Sequence, residues 1–170
     1  MTDANTMEQH TFKAETRQLL NILVHSLYKD REVFLRELLS NASDALNRLR
    51  FEMLINQNVL DPQAELKIRV TADKENRMLT IQDTGIGMTR DEVIENLGTI
   101  AQSGARKFLE LTKEHKADPG QVIGQFGVGF YSVFMVAEWV RVTSRSHRLD
   151  AEAVTWHATG EDRYDVGKAE

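Results

Sequence analysis

The segment "FLRELLSNASDALNRLRF", residues 34–51, predicts an amphipathic helix with an unusual centre. At 3.6 residues per turn its apolar side chains form one broad face. That face consists of Phe34, Leu35, Leu38, Leu39, Ala42, Ala45, Leu46 and Leu49. The short polar side chains of "SNASD", residues 40–44, are poor choices for a helix interior because they compete for backbone hydrogen bonds. Such a local exception often marks a functional site.

A polar stripe runs along one margin of this apolar face. Helical spacing keeps its members in line, and they are Glu37, Asn41, Asp44 and Arg48. A carboxylate and an amide one turn apart have the chemistry to hold a water molecule and a metal ion. The alternative is a solvated face with an Asp44–Arg48 ion pair, and spacing alone favours this alternative.

The rest of the chain predicts further helices and up to five strands. We expect helices over about 11–28, 31–54, 106–114 and 129–137, and a short helix over 89–97 that the capping-box sequence "TRDE" begins. Segments 65–72 and 78–83 alternate as a hairpin with one buried face, and strands follow in "WVRVTSRS", "AVTWHAT" and "RYDVG". Residues 1–10 should be loose. This order predicts a two-layer α/β sandwich, with helices on one face of a largely antiparallel sheet, as one domain over 1–170.

Two glycine-bearing segments add candidate chemistry. In "IQDTGIGM", residues 81–88, Asp83 continues the apolar face of its strand, which predicts an inward carboxylate that needs hydrogen-bond donors. An exocyclic amine on a ligand could supply them, whereas the alternative is a carboxylate that caps the turn. In "IGQFGVGFYS", residues 123–132, Gly124, Gly127 and Gly129 precede a predicted helix. That pattern suits phosphate binding and is otherwise typical of a flexible hinge.

The composition narrows the class of protein. Of 170 residues, 41% are hydrophobic and 28% charged, which indicates a globular domain, and a net charge of -5 gives no electrostatic case for nucleic acid. The absence of cysteine excludes disulfides, thiol catalysis and cysteine-ligated zinc. No apolar run suits a signal peptide or a membrane span, so we expect a cytoplasmic protein with neither membrane nor nucleic-acid partners.

Four blocks together resemble the nucleotide-binding domain of the heat-shock protein 90 family, in particular its bacterial branch. They are "SLYKDREVFLRELLSNASDAL", "DTGIGMTRDEV", "NLGTIAQSG" and "IGQFGVGFYSVFMVA", and the resemblance covers about residues 12–142. DNA gyrase, histidine kinases and MutL share only shorter versions of these motifs. The resemblance implies a Bergerat-type ATP-binding fold and an ATP-dependent chaperone of the stress response.

The resemblance also implies roles for individual residues. Glu37 would be the general base that activates water, Asn41 would bind Mg²⁺ together with phosphate oxygens, and Asp83 would accept from the adenine amino group. The other nucleotide contacts would be Asp44, Arg48, Gly87, Met88, Asn96, Gly127, Val128, Gly129 and Phe130. Residues from about 98 to 126 would form a lid. The family usually has lysine at the position of Arg48. It also commonly has lysine where this chain has Gln102, so the resemblance does not carry a contact between the lid and the phosphates over to this chain.

For the whole protein, the resemblance implies hydrolysis of ATP to ADP and phosphate, lid closure and a homodimer that binds unfolded or partly folded client proteins. The segment around Phe12 would be exchanged between protomers. The family's Gly-Thr motif, last strands, middle domain with its catalytic arginine, and C-terminal dimerisation domain should follow residue 170. We therefore expect a monomeric fragment that binds ATP, ADP and Mg²⁺ and has weak or no turnover. The alternatives are a nucleotide-binding switch without hydrolysis and a domain of the histidine-kinase or gyrase type, against which the flanking blocks argue.

Overall fold

The chain folds into a sheet layer and a helix layer with the hydrophobic core between them. The structure is a computed structural model and describes residues 6–25, 31–98, 110 and 128–169. Within these ranges the strands are β1 (Glu8–Thr11), β2 (Ile68–Asp73), β3 (Met78–Asp83), β4 (Val140–Ser144), β5 (Val154–Ala158) and β6 (Arg163–Lys168). The helices are α1 (Ala14–His25), α2 (Val33–Ile55), α3 (Arg90–Gly98) and a 3-10 helix, η1 (Gly129–Met135).

The strands form two sheets in which every pair is antiparallel. One sheet has four strands in the order β1-β6-β5-β4, and the other is the β2-β3 hairpin. The predicted sandwich is therefore confirmed, and so are the predicted hairpin, the helix over 31–54, and the three strands near the C-terminus, to within a few residues.

The core lies between the inner faces of β5 and β6 and the helices. Trp156 and Val166 are fully buried, and alternation along each strand turns their neighbours on the same face inward as well. Three leucines of α1 (Leu19, Leu20 and Leu23), together with Val93 and Leu97 of α3, close the core from the helix side. Phe12 is 2% exposed and lies at the centre of an aromatic cluster with Tyr131, Trp156 and Tyr164.

The prediction that residues 1–10 are loose is wrong for residues 8–10, which form β1 together with Thr11. The strand pairs with β6, where Glu8 is opposite Val166 and Thr11 is opposite Arg163. Its sequence, "EQHT", has no apolar alternation, so its order comes from the backbone ladder and from burial of Phe12 directly after it.

The hairpin does not have the buried face that its alternation predicted. Val70 is 49% exposed and Leu79 is 44% exposed. The physical reason is the architecture: the hairpin contacts α2 but hydrogen-bonds to no further strand among the described residues. The segment predicted as a helix over 129–137 is 3-10 helical and ends at Met135. The predicted helix over 106–114 lies almost entirely outside the described residues, as does the lid except for Gly98 and Glu110.

Candidate functional site

Glu37 and Gly129, predicted from separate motifs, are in direct contact. The Glu37 side chain is 14% exposed, and its Oε1 lies 3.7 Å from the Nε of Arg36. A Cβ atom at residue 129 would overlap Oε2 of Glu37 and would lie 3.2 Å from its Cδ. A larger residue at position 129 would require the Glu37 carboxylate to move away from the η1 backbone. The result is a half-buried carboxylate held against a main-chain segment.

The other members of the polar stripe lie along the solvent side of α2. Asn41 stands one turn after Glu37 and is exposed, as are Asp44 and Arg48. No ion pair joins Asp44 to Arg48 within the part of the chain that the structure describes, so the ion pair of the solvated-face alternative is absent. On the apolar face of α2, Ala42 and Leu49 are buried, as the apolar periodicity predicted.

Asp83 is exposed, which corrects the prediction of an inward, buried carboxylate. Its Oδ1 atom accepts the backbone N–H of Gly85 at 2.8 Å. The turn-capping alternative is therefore present in the structure. The error arose because alternation along β3 identifies one face but does not show whether anything covers it. An exposed carboxylate can still accept a hydrogen bond from a ligand.

The loop after β3 is fixed to α2 and to the end of β4. The Ile86 N–H donates to the carbonyl oxygen of Ala45 at 3.0 Å, and the Ile86 carbonyl accepts the His147 N–H at 2.9 Å. Gly87 has φ +62° and packs so closely on the Arg145 carbonyl that a Cβ would overlap it. The left-handed backbone and the close approach both require glycine here.

Met88 and Asn96 meet beside this loop. The Asn96 Nδ2 lies 3.9 Å from the Met88 sulfur, which is a weak acceptor. Asn96 is carried by α3, and the predicted capping box at the start of that helix is confirmed. The Thr89 N–H donates to Glu92 Oε2 at 2.7 Å, and the Glu92 N–H donates to Thr89 Oγ1 at 3.3 Å. The hydrogen bond from Thr89 holds the pKa of Glu92 below its usual value.

The η1 segment connects the site to the core. Val128 is fully buried and Phe130 is half-buried against Tyr131 and Trp156, while Gly127 lies outside the described residues. The Tyr131 hydroxyl donates to the carbonyl oxygen of Leu97 at 2.5 Å, and burial raises the pKa of this hydroxyl. The backbone beside Glu37 is thus anchored to the last turn of α3.

The two contacts on α2 lie far enough apart to hold the two ends of an elongated ligand. Ala45, which meets the β3 loop, follows Glu37, which meets η1, by eight residues, or about 12 Å along a helix axis. The exposed Asn41 lies between them. The arrangement offers a carboxylate acceptor and glycine backbone at one end and a half-buried carboxylate with main-chain groups at the other.

The oxygen groups present fit a Mg²⁺ ion only in combination with a ligand. Mg²⁺ is usually bound through one or two protein oxygens together with phosphate oxygens and waters. The accessible Asn41 amide suits such a site, and Glu37 lies one turn away. No group of three or more histidine, aspartate or glutamate side chains among the described residues could hold a metal ion by itself.

Sequence reasoning missed the residues that fix the β3 loop from β4, in particular Ser144. Its Oγ accepts the Met88 N–H at 2.9 Å. A signal was available, because Ser144 continues the half-buried face of Val140 and Val142, where a hydroxyl needs a partner. The backbone contacts of Ala45 and Arg145 carry no comparable sequence signal.

The amino-acid sequence of this chain is similar to a family of ATPases and to several chaperone proteins. Residues 28–168 match the family described as histidine kinase-, DNA gyrase B-, and HSP90-like ATPase. The Chaperone protein HtpG of Coxiella burnetii (strain RSA 331 / Henzerling II) is 53% identical over 160 residues, which cover 94% of this chain and 25% of that relative. The Chaperone protein HtpG of Halorhodospira halophila (strain DSM 244 / SL1) is 52% identical over 170 residues, which cover 99% of this chain and 26% of that relative. The Chaperone protein HtpG of Cronobacter sakazakii (strain ATCC BAA-894) is 51% identical over 167 residues, which cover 96% of this chain and 27% of that relative.

The chain therefore spans about a quarter of the length of the curated relatives it matches. None of the helices in the described ranges combines the length and the apolar content needed to cross a bilayer.

Proposed function

Because the chain belongs to the family of histidine kinase-, DNA gyrase B-, and HSP90-like ATPases, we propose that it is the ATP-binding domain of a chaperone of the HtpG type. In the proposed reaction, Glu37 is the general base for attack of water on the terminal phosphate. Asn41 binds Mg²⁺ together with phosphate oxygens, and when bound the ion neutralises charge on the phosphates. Asp83 accepts from the adenine amino group, Gly87 and Met88 line the base pocket, and Asn96 lies near the ribose.

The contact between Glu37 and Gly129 carries this proposal. It sets a carboxylate beside a main-chain segment at one end of a site whose other end offers Asp83. Main-chain N–H groups near a glycine suit phosphate oxygens, and a carboxylate at the same point suits the attacking water. The remaining phosphate contacts are Gly127, Val128 and Phe130, with Asp44 and Arg48 supporting the polar network beside Asn41.

For the complete protein we propose that nucleotide binding drives lid closure and N-terminal dimerisation, and that the cycle acts on unfolded or partly folded client proteins in the cytoplasm. The isolated chain is then expected to bind nucleotide more readily than it hydrolyses it, because a further arginine would stabilise transition-state charge.

The test is calorimetric titration of ADP with Mg²⁺ into the chain and into Asp83→Asn. Asparagine keeps an oxygen that can accept the Gly85 N–H, so the turn should survive. Its amide nitrogen replaces the second oxygen, so we expect at least about tenfold weaker binding.

Asp73→Asn is the matched control, because Asp73 caps the turn at the other end of the hairpin by accepting the Asn76 N–H at 3.1 Å. It should leave ADP affinity unchanged. Absence of ADP binding to the unsubstituted chain, or equal affinity for Asp83→Asn, would refute the proposed site.

A further inference from the structure

The β3 loop is held on two sides, and its position depends on both. On the α2 side, a Cβ at Gly85 would lie 2.6 Å from the Cβ of Ala45, and the Ile86 N–H donates to the same residue's carbonyl. On the β4 side, the loop meets the Arg145 carbonyl and the His147 N–H. These contacts involve mainly the backbone, so side-chain substitutions leave most of their atoms in place.

Ser144 adds a contact that does depend on a side chain. It is the last residue of β4 and is half-buried, and its Oγ accepts the Met88 N–H at 2.9 Å. Without that oxygen the Met88 N–H would be left in a partly buried position without its acceptor, which disfavours the observed backbone. The loop could then shift, because Gly85 and Gly87 tolerate backbone conformations that other residues disfavour.

The bond also acts on the Met88 side chain. Met88 packs on the hydrophobic core and lies against Asn96 of α3. A shift of its backbone would therefore move the two residues assigned to the base pocket, Gly87 and Met88, and would change the contact with Asn96. Ser144 contacts the loop from the end of β4 and acts on it through this hydrogen bond, so it does not itself need to touch the nucleotide.

We propose that Ser144 is a positioning residue for the adenine end of the nucleotide site, acting through the Met88 amide. This inference rests on the proposed function, since it assumes that the loop binds the base. The chemistry requires a hydroxyl at position 144, not serine as such, so threonine should replace serine while alanine should not.

The experiment measures binding of ADP with Mg²⁺ by calorimetry to the full 170-residue chain and to Ser144→Ala, Ser144→Thr and Thr143→Ala. We expect about threefold to tenfold weaker binding for Ser144→Ala, the size of one lost hydrogen bond, and recovery for Ser144→Thr. Thr143 is the control, because this neighbouring hydroxyl is exposed on the other face of β4. Its removal should leave the affinity unchanged.

A second readout is hydrogen exchange of the Met88 amide without nucleotide, which a general loss of stability would not single out. We expect the Ser144→Ala substitution to speed exchange at Met88, relative to the unsubstituted chain, by a larger factor than it speeds exchange at amides of β5. Unchanged affinity in Ser144→Ala, or failure of threonine to restore it, overturns the positioning role even when the unsubstituted chain binds ADP. If the unsubstituted chain binds no ADP, the proposed function fails, and the positioning role fails with it.

Discussion

At the scale of single residues, we propose that Glu37 decides whether the site hydrolyses ATP or only binds it. Its side chain is 14% exposed and contacts Gly129, so under the proposal it lies beside the phosphate end without being fully desolvated. A general base typically contributes about a hundredfold or more to the rate. Glu37→Ala in the complete protein should therefore lower ATP turnover by about that factor and retain ATP binding, measured by phosphate release and by calorimetry.

Arg36→Ala is the control for this prediction. Arg36 is the cation 3.7 Å from Glu37, but it is mainly exposed, and surface ion pairs contribute little. Its removal should change turnover far less than removal of the carboxylate. Turnover of Glu37→Ala close to that of the unsubstituted protein would show that another group activates the water and would favour the nucleotide-binding switch.

Helical spacing predicted the site residues on α2, whereas strand alternation predicted the site residues on the strands less well. The stripe from Glu37 to Arg48 followed from helical spacing alone. The exposure of Asp83 did not, because a strand's alternation cannot reveal what lies opposite its faces. Ser144 was recognisable only as a hydroxyl on a half-buried strand face, and its partner, Met88, lies 56 residues earlier in the chain.

At the scale of elements, the capping box makes α3 sensitive to acid. The Thr89 N–H bond to Glu92 lowers the pKa of that carboxyl from its usual 4.5. The stabilisation is thus fully present above about pH 4.5 and is lost as the pH falls through the lower folded-state pKa. Glu92→Gln should reduce the free energy of unfolding by about 1 kcal/mol at pH 7. Urea titrations should show this difference shrinking as the pH falls.

Glu95→Gln serves as the control for this prediction, since Glu95 is an exposed carboxylate on the same helix. The Glu95→Gln substitution should have little effect on the free energy of unfolding at pH 7 or at pH 3. A difference between Glu92→Gln and the unsubstituted chain that stays constant down to pH 3 would contradict the role of the ionised carboxylate.

Elements with strong local signals were predicted well, and those that depend on distant partners were not. Apolar periodicity located α2, and "TRDE" located the start of α3. By contrast, β1 has the sequence "EQHT" and becomes a strand only because β6, more than 150 residues later, provides a ladder. The 3-10 form of η1 likewise depends on packing around Gly129 and Tyr131, which short-range sequence patterns do not encode.

At the scale of the whole molecule, the two sheets should differ in local stability. The hairpin has two strands with mostly exposed side chains, whereas β5 and β6 lie over the core. Segments with few buried apolar contacts open at lower free energy. Amide hydrogen exchange should therefore be faster in β2 and β3 than in β5 and β6, and ADP should slow exchange at the end of β3 more than in β2.

The four-stranded sheet is the internal reference for this measurement, because nucleotide binding should hardly change its slowest amides. Equal protection of both sheets without ADP would mean that the hairpin unfolds only together with the core. The fold class itself followed from the order of elements, but the division into two sheets did not, since strand alternation does not state which strands are neighbours.

The placement of the tryptophans has a practical consequence for spectroscopy. The chain has two, and they sit in opposite environments: Trp156 is fully buried, and Trp139 is 39% exposed on the far side of the sheet. Trp156 makes an edge contact with Phe130 at a ring-centroid distance of 5.6 Å, next to Gly129 and the Glu37 carboxylate. Only the Phe130 ring thus separates the fluorescent Trp156 from the proposed phosphate end of the site. Trp139 supplies a solvent-facing emission against which a spectral shift can be read without any attached dye.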